Sequence, residues 1–209
     1  MISAKIAVRD LDKSLILLPE RYDPRRSKAD SGVSLSSIVR LSKLNLDPSI
    51  LNEKVSVCLI ETSTAQNGIV IGEKVVEPDS LKSQKRILEP GDVIISRLRP
   101  YLRQVAYVDE DVFRDRQFVL ASTEFYVLRP ADSELELAFL VPWLLSESVQ
   151  KELNLGQEGG HHPRFNETTL LDLRIPQEIY ESRRVESENV VSQSKKIRAA
   201  LRALGTFAV

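Results

Sequence analysis

Glu89-Pro90-Gly91-Asp92-Val93-Ile94-Ile95-Ser96-Arg97-Leu98-Arg99-Pro100 is the stretch on which the reading of this chain turns. Pro90 presets its own φ and Gly91 tolerates a left-handed one, so Glu89 to Asp92 reads as a turn. The β-branched run Val93 to Arg97 then reads as a strand, and Pro100 marks where that strand runs out. Working outward, Val55-Ser56-Val57-Cys58-Leu59-Ile60 has the composition of a half-buried or fully buried strand. Asn67-Gly68 is a turn signal before Ile69-Val70-Ile71, giving strand, turn, strand. Val105 to Val108 and Glu124 to Leu128 add further strands, and the core is expected to be mainly β.

Helical spacing flanks this β region on both sides. Leu35, Ile38 and Val39 predict a short helix within Val33 to Leu41, after a polar stretch over residues 1–32. Between Glu136 and Leu155, the apolar residues Leu137, Leu140, Val141, Leu144, Leu145, Val149 and Leu153 recur every three or four positions. They predict an amphipathic helix, with Pro142 near a break or in the first turn of a second piece. The segment Gly156 to Arg164, with Gly159, Gly160, His161 and His162, reads as a loop that interrupts regular structure. Asn166 to Leu171 reads as a capped helical turn before a short strand, Leu173 to Pro176. Glu181 to Leu204 predicts a helix about 36 Å long at 1.5 Å per residue. Val190, Ile197, Leu201 and Leu204 fall near heptad a and d positions, with Ser187 and Ser194 weakening the seam. This helix is expected to leave the globular part and pack on another helix. The fold class is α/β (α+β): a mainly β domain over residues 1–178, and a coiled-coil-type helix over 179–209.

Composition narrows the function classes. The 209 residues are 42% hydrophobic and 28% charged, as in an ordinary globular protein. No run is apolar enough for a membrane helix, and Met1 to Lys13 alternates apolar with charged residues, so a cytoplasmic location is expected. The single cysteine, Cys58, excludes a disulfide framework and reads as core. A net charge of -1 argues against an overall basic coat. Locally, Lys82 to Arg103 carries +4 and Asp132 to Glu158 carries -5, so the molecule is expected to be polarised.

No catalytic constellation can be assembled. A phosphate-cradling loop, a nucleophile elbow and a nuclease-type carboxylate pattern are all missing, and no cofactor is expected. His161 and His162 are the only histidines; as neighbours, their rings should point in different directions. Binding chemistry is richer. Arg97, Arg99 and Arg103, with Tyr101 among them, present guanidinium groups suited to phosphate or to guanine O6 and N7. Alternatively these arginines pair with Asp92, Asp109 and Asp111. The loop with Gly159, Gly160, His161, His162 and Arg164 offers close backbone approach and several donors, or is a plain connector. Lys82, Lys85 and Arg86 are candidate phosphate contacts.

Leu88 to Pro100, then Leu120-Ala121-Ser122-Thr123-Glu124-Phe125-Tyr126-Val127-Leu128-Arg129-Pro130, resemble the target recognition domain of type I restriction-modification specificity subunits. The resemblance extends through Leu144-Leu145-Ser146-Glu147, the glycine-bearing loop, Leu170 to Pro176 and the long helix, roughly Val33 to Leu204. A departure follows Ile175-Pro176, where Gln177-Glu178-Ile179 replaces the family's usual second proline and glutamine. The resemblance implies a non-catalytic subunit that reads double-stranded DNA and docks on methyltransferase and restriction subunits. Such subunits usually carry two recognition domains and two long helices. One of each is seen here, which implies a half-length unit that forms a homodimer through its terminal helix. Two other readings remain open: a protein-interaction module without DNA binding, and a nuclease with an unrecognised site.

Overall fold

Alternation of side chains along a few strands sets the layers of this protein. The computed structural model describes residues 7–8, 32–52, 55–159 and 161–205. The polar N-terminal stretch and Gly160 therefore lie almost wholly outside the described residues. In chain order the first strands are β1 (Val33–Ser34), β2 (Val39–Ser42), β3 (Asn45–Leu46), β4 (Val57–Ile60), β5 (Ala65–Gln66), β6 (Gly68–Val70) and β7 (Lys74–Val76). They are followed by β8 (Lys85–Ile87), β9 (Val93–Ser96), β10 (Val105–Tyr107), β11 (Phe118–Ala121) and β12 (Phe125–Pro130). Three short strands complete the set: β13 (Gln157–Glu158), β14 (Arg164–Phe165) and β15 (Arg174–Ile175). The helices are α1 (Leu35–Ile38), α2 (Leu140–Leu144), α3 (Glu147–Leu155), α4 (Glu167–Leu171), α5 (Gln177–Glu181) and α6 (Arg183–Ala203).

Two larger sheets form, ordered β2-β12-β9-β10-β6-β5 and β3-β8-β11-β4-β7. Because neighbours on a strand face opposite ways, Val93 and Ile95 of β9 join the core shared with the helices, while Ile94 joins the core between the sheets. In β12, Tyr126 and Leu128 face the helices, and Phe125 and Val127 face the other sheet. Cys58 and Ile60 of β4 and Val119 and Ala121 of β11 come from that other sheet to meet them. The outer face of the five-stranded sheet, with Val57, Leu59 and Leu120, packs under the loops that bear Leu51, Val55 and Leu81. Both faces of the central strands are thus buried, which is why their sequences run apolar without interruption.

The two stretches that carry the family resemblance meet at a buried ion pair. Arg129 of β12 donates from Nε to Asp92 Oδ1 at 2.8 Å and from Nη2 to Oδ2 at 3.2 Å. It also donates to Glu89 Oε1 at 2.6 Å and to the Ile87 carbonyl at 3.0 Å. Asp92 accepts from the Glu89 backbone N–H at 2.7 Å, closing the turn at Gly91, whose φ is 88°. Burial, the largest effect, pushes the Asp92 carboxyl above its ordinary value although Arg129 and the Glu89 N–H pull the other way.

Several local expectations are corrected. Helix α1 is a single turn, because β-branched Val39 starts a strand that pairs with Pro130 of β12. The hairpin at Asn67-Gly68 joins β5 to β6, whereas Val57–Ile60 lies in the other sheet. Pro142 lies, as expected, in a first turn close to a break, but the turn is that of α2, the first helical piece, and the break follows where Ser146 Oγ caps α3 by accepting from Val149 N. The glycine-bearing segment is not irregular throughout: Gln157–Glu158 pairs antiparallel with Arg164–Phe165.

The largest correction concerns α6, which lies along its own domain by the face expected to be weakest. Ser187 Oγ accepts from Phe139 N at 3.1 Å and donates to the Glu136 carbonyl at 3.3 Å. Ser194 Oγ donates to Asp109 Oδ2 at 2.8 Å. Arg198 donates to the Val70 carbonyl at 2.7 Å, and it pairs with Glu73 and Asp109. Serine is short, so positions 187 and 194 let the helix come close and satisfy polar groups that a larger apolar residue would cover. Ile197 and Leu204 are left exposed on an adjacent strip of the helix. No helix among the described residues is long and apolar enough to cross a membrane.

Candidate nucleic-acid interface

Strand β9 ends at Ser96, and the backbone beyond it becomes a docking edge. Arg97 N donates to the Glu124 carbonyl at 2.9 Å, and Phe165 N donates to the Arg97 carbonyl at 3.2 Å. Leu98 bridges antiparallel to Arg164, and Arg99 N donates to the Pro163 carbonyl at 2.9 Å. The two segments named as separate candidates from sequence therefore meet, with Arg97 to Arg99 zipped along residues 162–165. Tyr126 Oη holds the base of this junction by donating to the Phe165 carbonyl at 3.1 Å.

The side chains follow the backbone. Glu124 accepts from Arg164 through both oxygens, Nη2 to Oε1 at 2.6 Å and Nε to Oε2 at 2.9 Å. Its Oε2 also accepts from Arg97 Nε at 3.1 Å. The hydrogen bonds from Arg164, the largest effect, outweigh burial and, with those from Arg97, hold the Glu124 carboxyl below its ordinary value. Glu124 thus fixes two guanidinium groups side by side and neutralises part of their charge. Arg164 Nη1 also donates to the His162 carbonyl at 3.0 Å, and Arg99 Nη2 lies 3.3 Å from His162 Nδ1.

Asp92, Asp109 and Asp111 do not take up the loop arginines. Asp92 belongs to Arg129, Asp109 to Ser194 and Arg198, and Asp111 to Arg114 and Arg202. The Arg103 side chain makes no hydrogen bond or ion pair with any described residue. Tyr101 stands exposed between Arg99 and Arg103. The rings of His161 and His162 are 5.6 Å apart and tilted by 48°, side by side instead of diverging, because the chain bends there and is not extended. Gly159 has a φ of 89°, which favours glycine where the hairpin turns.

The earlier lysine and arginine cluster divides. Lys85 lines an open cleft of about 370 Å³ together with Glu61, Leu98, Ser122 and Glu124, the carboxylate that Arg97 and Arg164 share. Its Nζ donates to Ser83 at 2.8 Å (carbonyl) and 2.7 Å (Oγ). Alternation along β8 turns Arg86 to the other face, where Nη1 donates to Asn45 Oδ1 at 3.1 Å. Lys82 is exposed on the loop before β8, apart from this network. Among the described residues, no group of three His, Cys, Asp or Glu side chains is placed to hold a metal ion. Glu124 is the site residue that sequence reasoning missed. It lies within the quoted Ser122-Thr123-Glu124-Phe125 stretch, but only the long-range pairing of β9 with β12 brings it to Arg97 and Arg164.

No family model and no curated protein matches this chain. Solved structures do. One, from work on complex assembly and conformational transition of the type I R-M system, matches at a TM-score of 0.61 and 23% identity, over 84% of this chain and 45% of that one. Another, the HsdS subunit from Thermoanaerobacter tengcongensis, matches at a TM-score of 0.57 and 21% identity, over 83% and 45%. The chain spans about 45% of the length of each neighbour and shares the fold of the matched part of each.

Proposed function

We propose that this protein recognises a specific sequence in duplex DNA as the specificity component of a type I restriction-modification system. It would direct a partner methyltransferase and restriction complex and carry no catalytic centre of its own. The observation that carries this reading is the convergence of Arg97, Arg99, His162 and Arg164 on one surface of a fold shared with HsdS, with Arg103 at the end of the same loop. Two guanidinium groups are held rigidly by Glu124, and two cations beside them have no carboxylate partner among the described residues. That combination suits a surface in which some groups fix register on phosphates and others read base edges.

In this division Lys85 and Arg103 contact phosphate, and Lys82 and Arg86 contribute at longer range. Arg97 and the His161 to Arg164 loop read bases, while Arg99 joins Arg103 on phosphate. Two such units pairing through α6 would place two recognition surfaces on one DNA. The exposed Ile197 and Leu204, which this domain leaves uncovered, support the helix as the contact. Methylation assays with the cognate methyltransferase test the reading. Sequence-dependent methylation that requires this chain supports it, and methylation without sequence preference refutes it.

A further inference from the structure

The tip of the arginine loop carries a feature that phosphate gripping does not require. Pro100–Leu102 forms a single 3-10 turn, and both residues bracketing it are left-handed: Arg99 at φ 49° and Arg103 at φ 51°. Residues with a Cβ disfavour that region, and such strain persists only where the surroundings over-determine it. Here they do. Arg103 N donates to the Pro100 carbonyl at 2.8 Å, Leu102 N to the Arg99 carbonyl at 2.9 Å, and Arg99 N to Pro163. Pro100 is buried beneath, and the turn packs against α3.

What this rigid turn holds out is apolar. Tyr101 is 56% exposed and Leu102 is 49% exposed, and Tyr101 Oη has no hydrogen-bond partner among the described residues. On either side stand Arg99 and Arg103, the loop cations that no carboxylate among the described residues neutralises, whereas Glu124 already occupies Arg97 and Arg164. An aromatic and an aliphatic side chain, fixed side by side in water between two cations, match the chemistry of a wedge that parts stacked bases while its flanks hold the backbone. Because the turn is already ordered, inserting it adds little conformational cost.

We propose that Tyr101 and Leu102 form an apolar wedge that enters the base stack of duplex DNA between phosphates held by Arg99 and Arg103. The inference rests on the DNA-recognition reading above and adds a mechanism to it: sequence preference arises partly from how easily a base step is parted. Flexible pyrimidine–purine steps are the expected targets.

The test uses the full-length chain and a duplex selected by it from a randomised pool, labelled with 2-aminopurine at enriched positions and with a dye pair at its ends. Binding by the unaltered protein should raise 2-aminopurine fluorescence and shorten the end-to-end distance. Tyr101→Ala combined with Leu102→Ala should abolish both signals and cut the preference for the selected duplex by about tenfold or more. The slope of affinity against salt should stay unchanged, because phosphate contacts remain. Tyr101→Phe should preserve both signals, which separates the wedge from any fold defect. Arg99→Gln and Arg103→Gln should instead lower affinity for all duplexes and reduce the salt slope by about one for each cation lost. If the unaltered protein binds its selected duplex without unstacking, or the double alanine variant keeps signal and preference, the wedge is wrong and the recognition reading stands. If the unaltered protein retains no duplex at low salt, both fall together.

Discussion

Replacing Arg198 with methionine should cost this protein a large fraction of its stability. The Arg198 side chain is 3% exposed, and its charge faces Asp109 at 2% and Glu73 at 13%. Methionine keeps much of the aliphatic volume but leaves two carboxylates buried without that cation, and it removes the donor to the Val70 carbonyl. Breaking a buried pair from one side costs about 3–5 kcal/mol. Whole-domain stabilities are only about 5–15 kcal/mol. At roughly 2–4 °C per kcal/mol for a chain of this size, the melting temperature should fall by about 6–20 °C. Urea unfolding followed by circular dichroism measures the loss directly. Asp109→Asn provides the control, since the amide oxygen still accepts from Ser194 while the charge is gone. In that background Arg198→Met should cost at least about 1 kcal/mol less, as expected for residues in direct contact. A loss below about 1 kcal/mol in the native background, or no coupling to Asp109, would refute the claim that α6 is pinned by buried charge.

Three further outcomes follow from the geometry. Glu124→Gln should cost about 1 kcal/mol near neutral pH, the scale of partly exposed ion pairs, as read from denaturant midpoints. Its pH dependence has a definite sign. The folded carboxyl lies below the ordinary glutamate value of 4.5, so the native residue's advantage is complete above that value and disappears as pH falls through the depressed one. Gly156→Ala should destabilise by about 1–3 kcal/mol in thermal melts, because an added Cβ would clash with Thr169 Cγ2, and Thr169 Oγ1 is held to Asn166 Oδ1 at 3.0 Å. Cys58 is fully buried, and burial pushes its thiol up to about 12, so a thiol reagent should label it only at the rate of unfolding. Fast labelling under native conditions would contradict that packing.

Legibility from sequence followed the range of the forces involved. The turn at Pro90-Gly91, the strand after it, the Asn166 cap and the extent of the terminal helix are set by neighbours in the chain, and they could be read there. Tertiary pairing decided the rest. Nothing local distinguishes Val39 as the start of a strand in place of a helix residue; its partner Pro130 does so. Likewise the glycine-bearing loop became a hairpin because Gln157 meets Phe165. Ser187 and Ser194 looked like defects in an apolar seam, since heptad reasoning assumes a hydrophobic partner. The surface they meet offers a backbone N–H and a carboxylate instead. At the candidate interface, sequence named the cations but not their order, because Glu124 reaches Arg164 across 40 residues.

Fluorescence anisotropy of the purified full-length chain on a randomised duplex pool, across a salt series and with sequencing of the retained fraction, tests the central claim most directly. The recognition account expects enrichment of defined base positions and an affinity that falls steeply as salt rises. Absence of any retained duplex at low salt, or retention without enriched positions even when the methyltransferase partner is added, would contradict it.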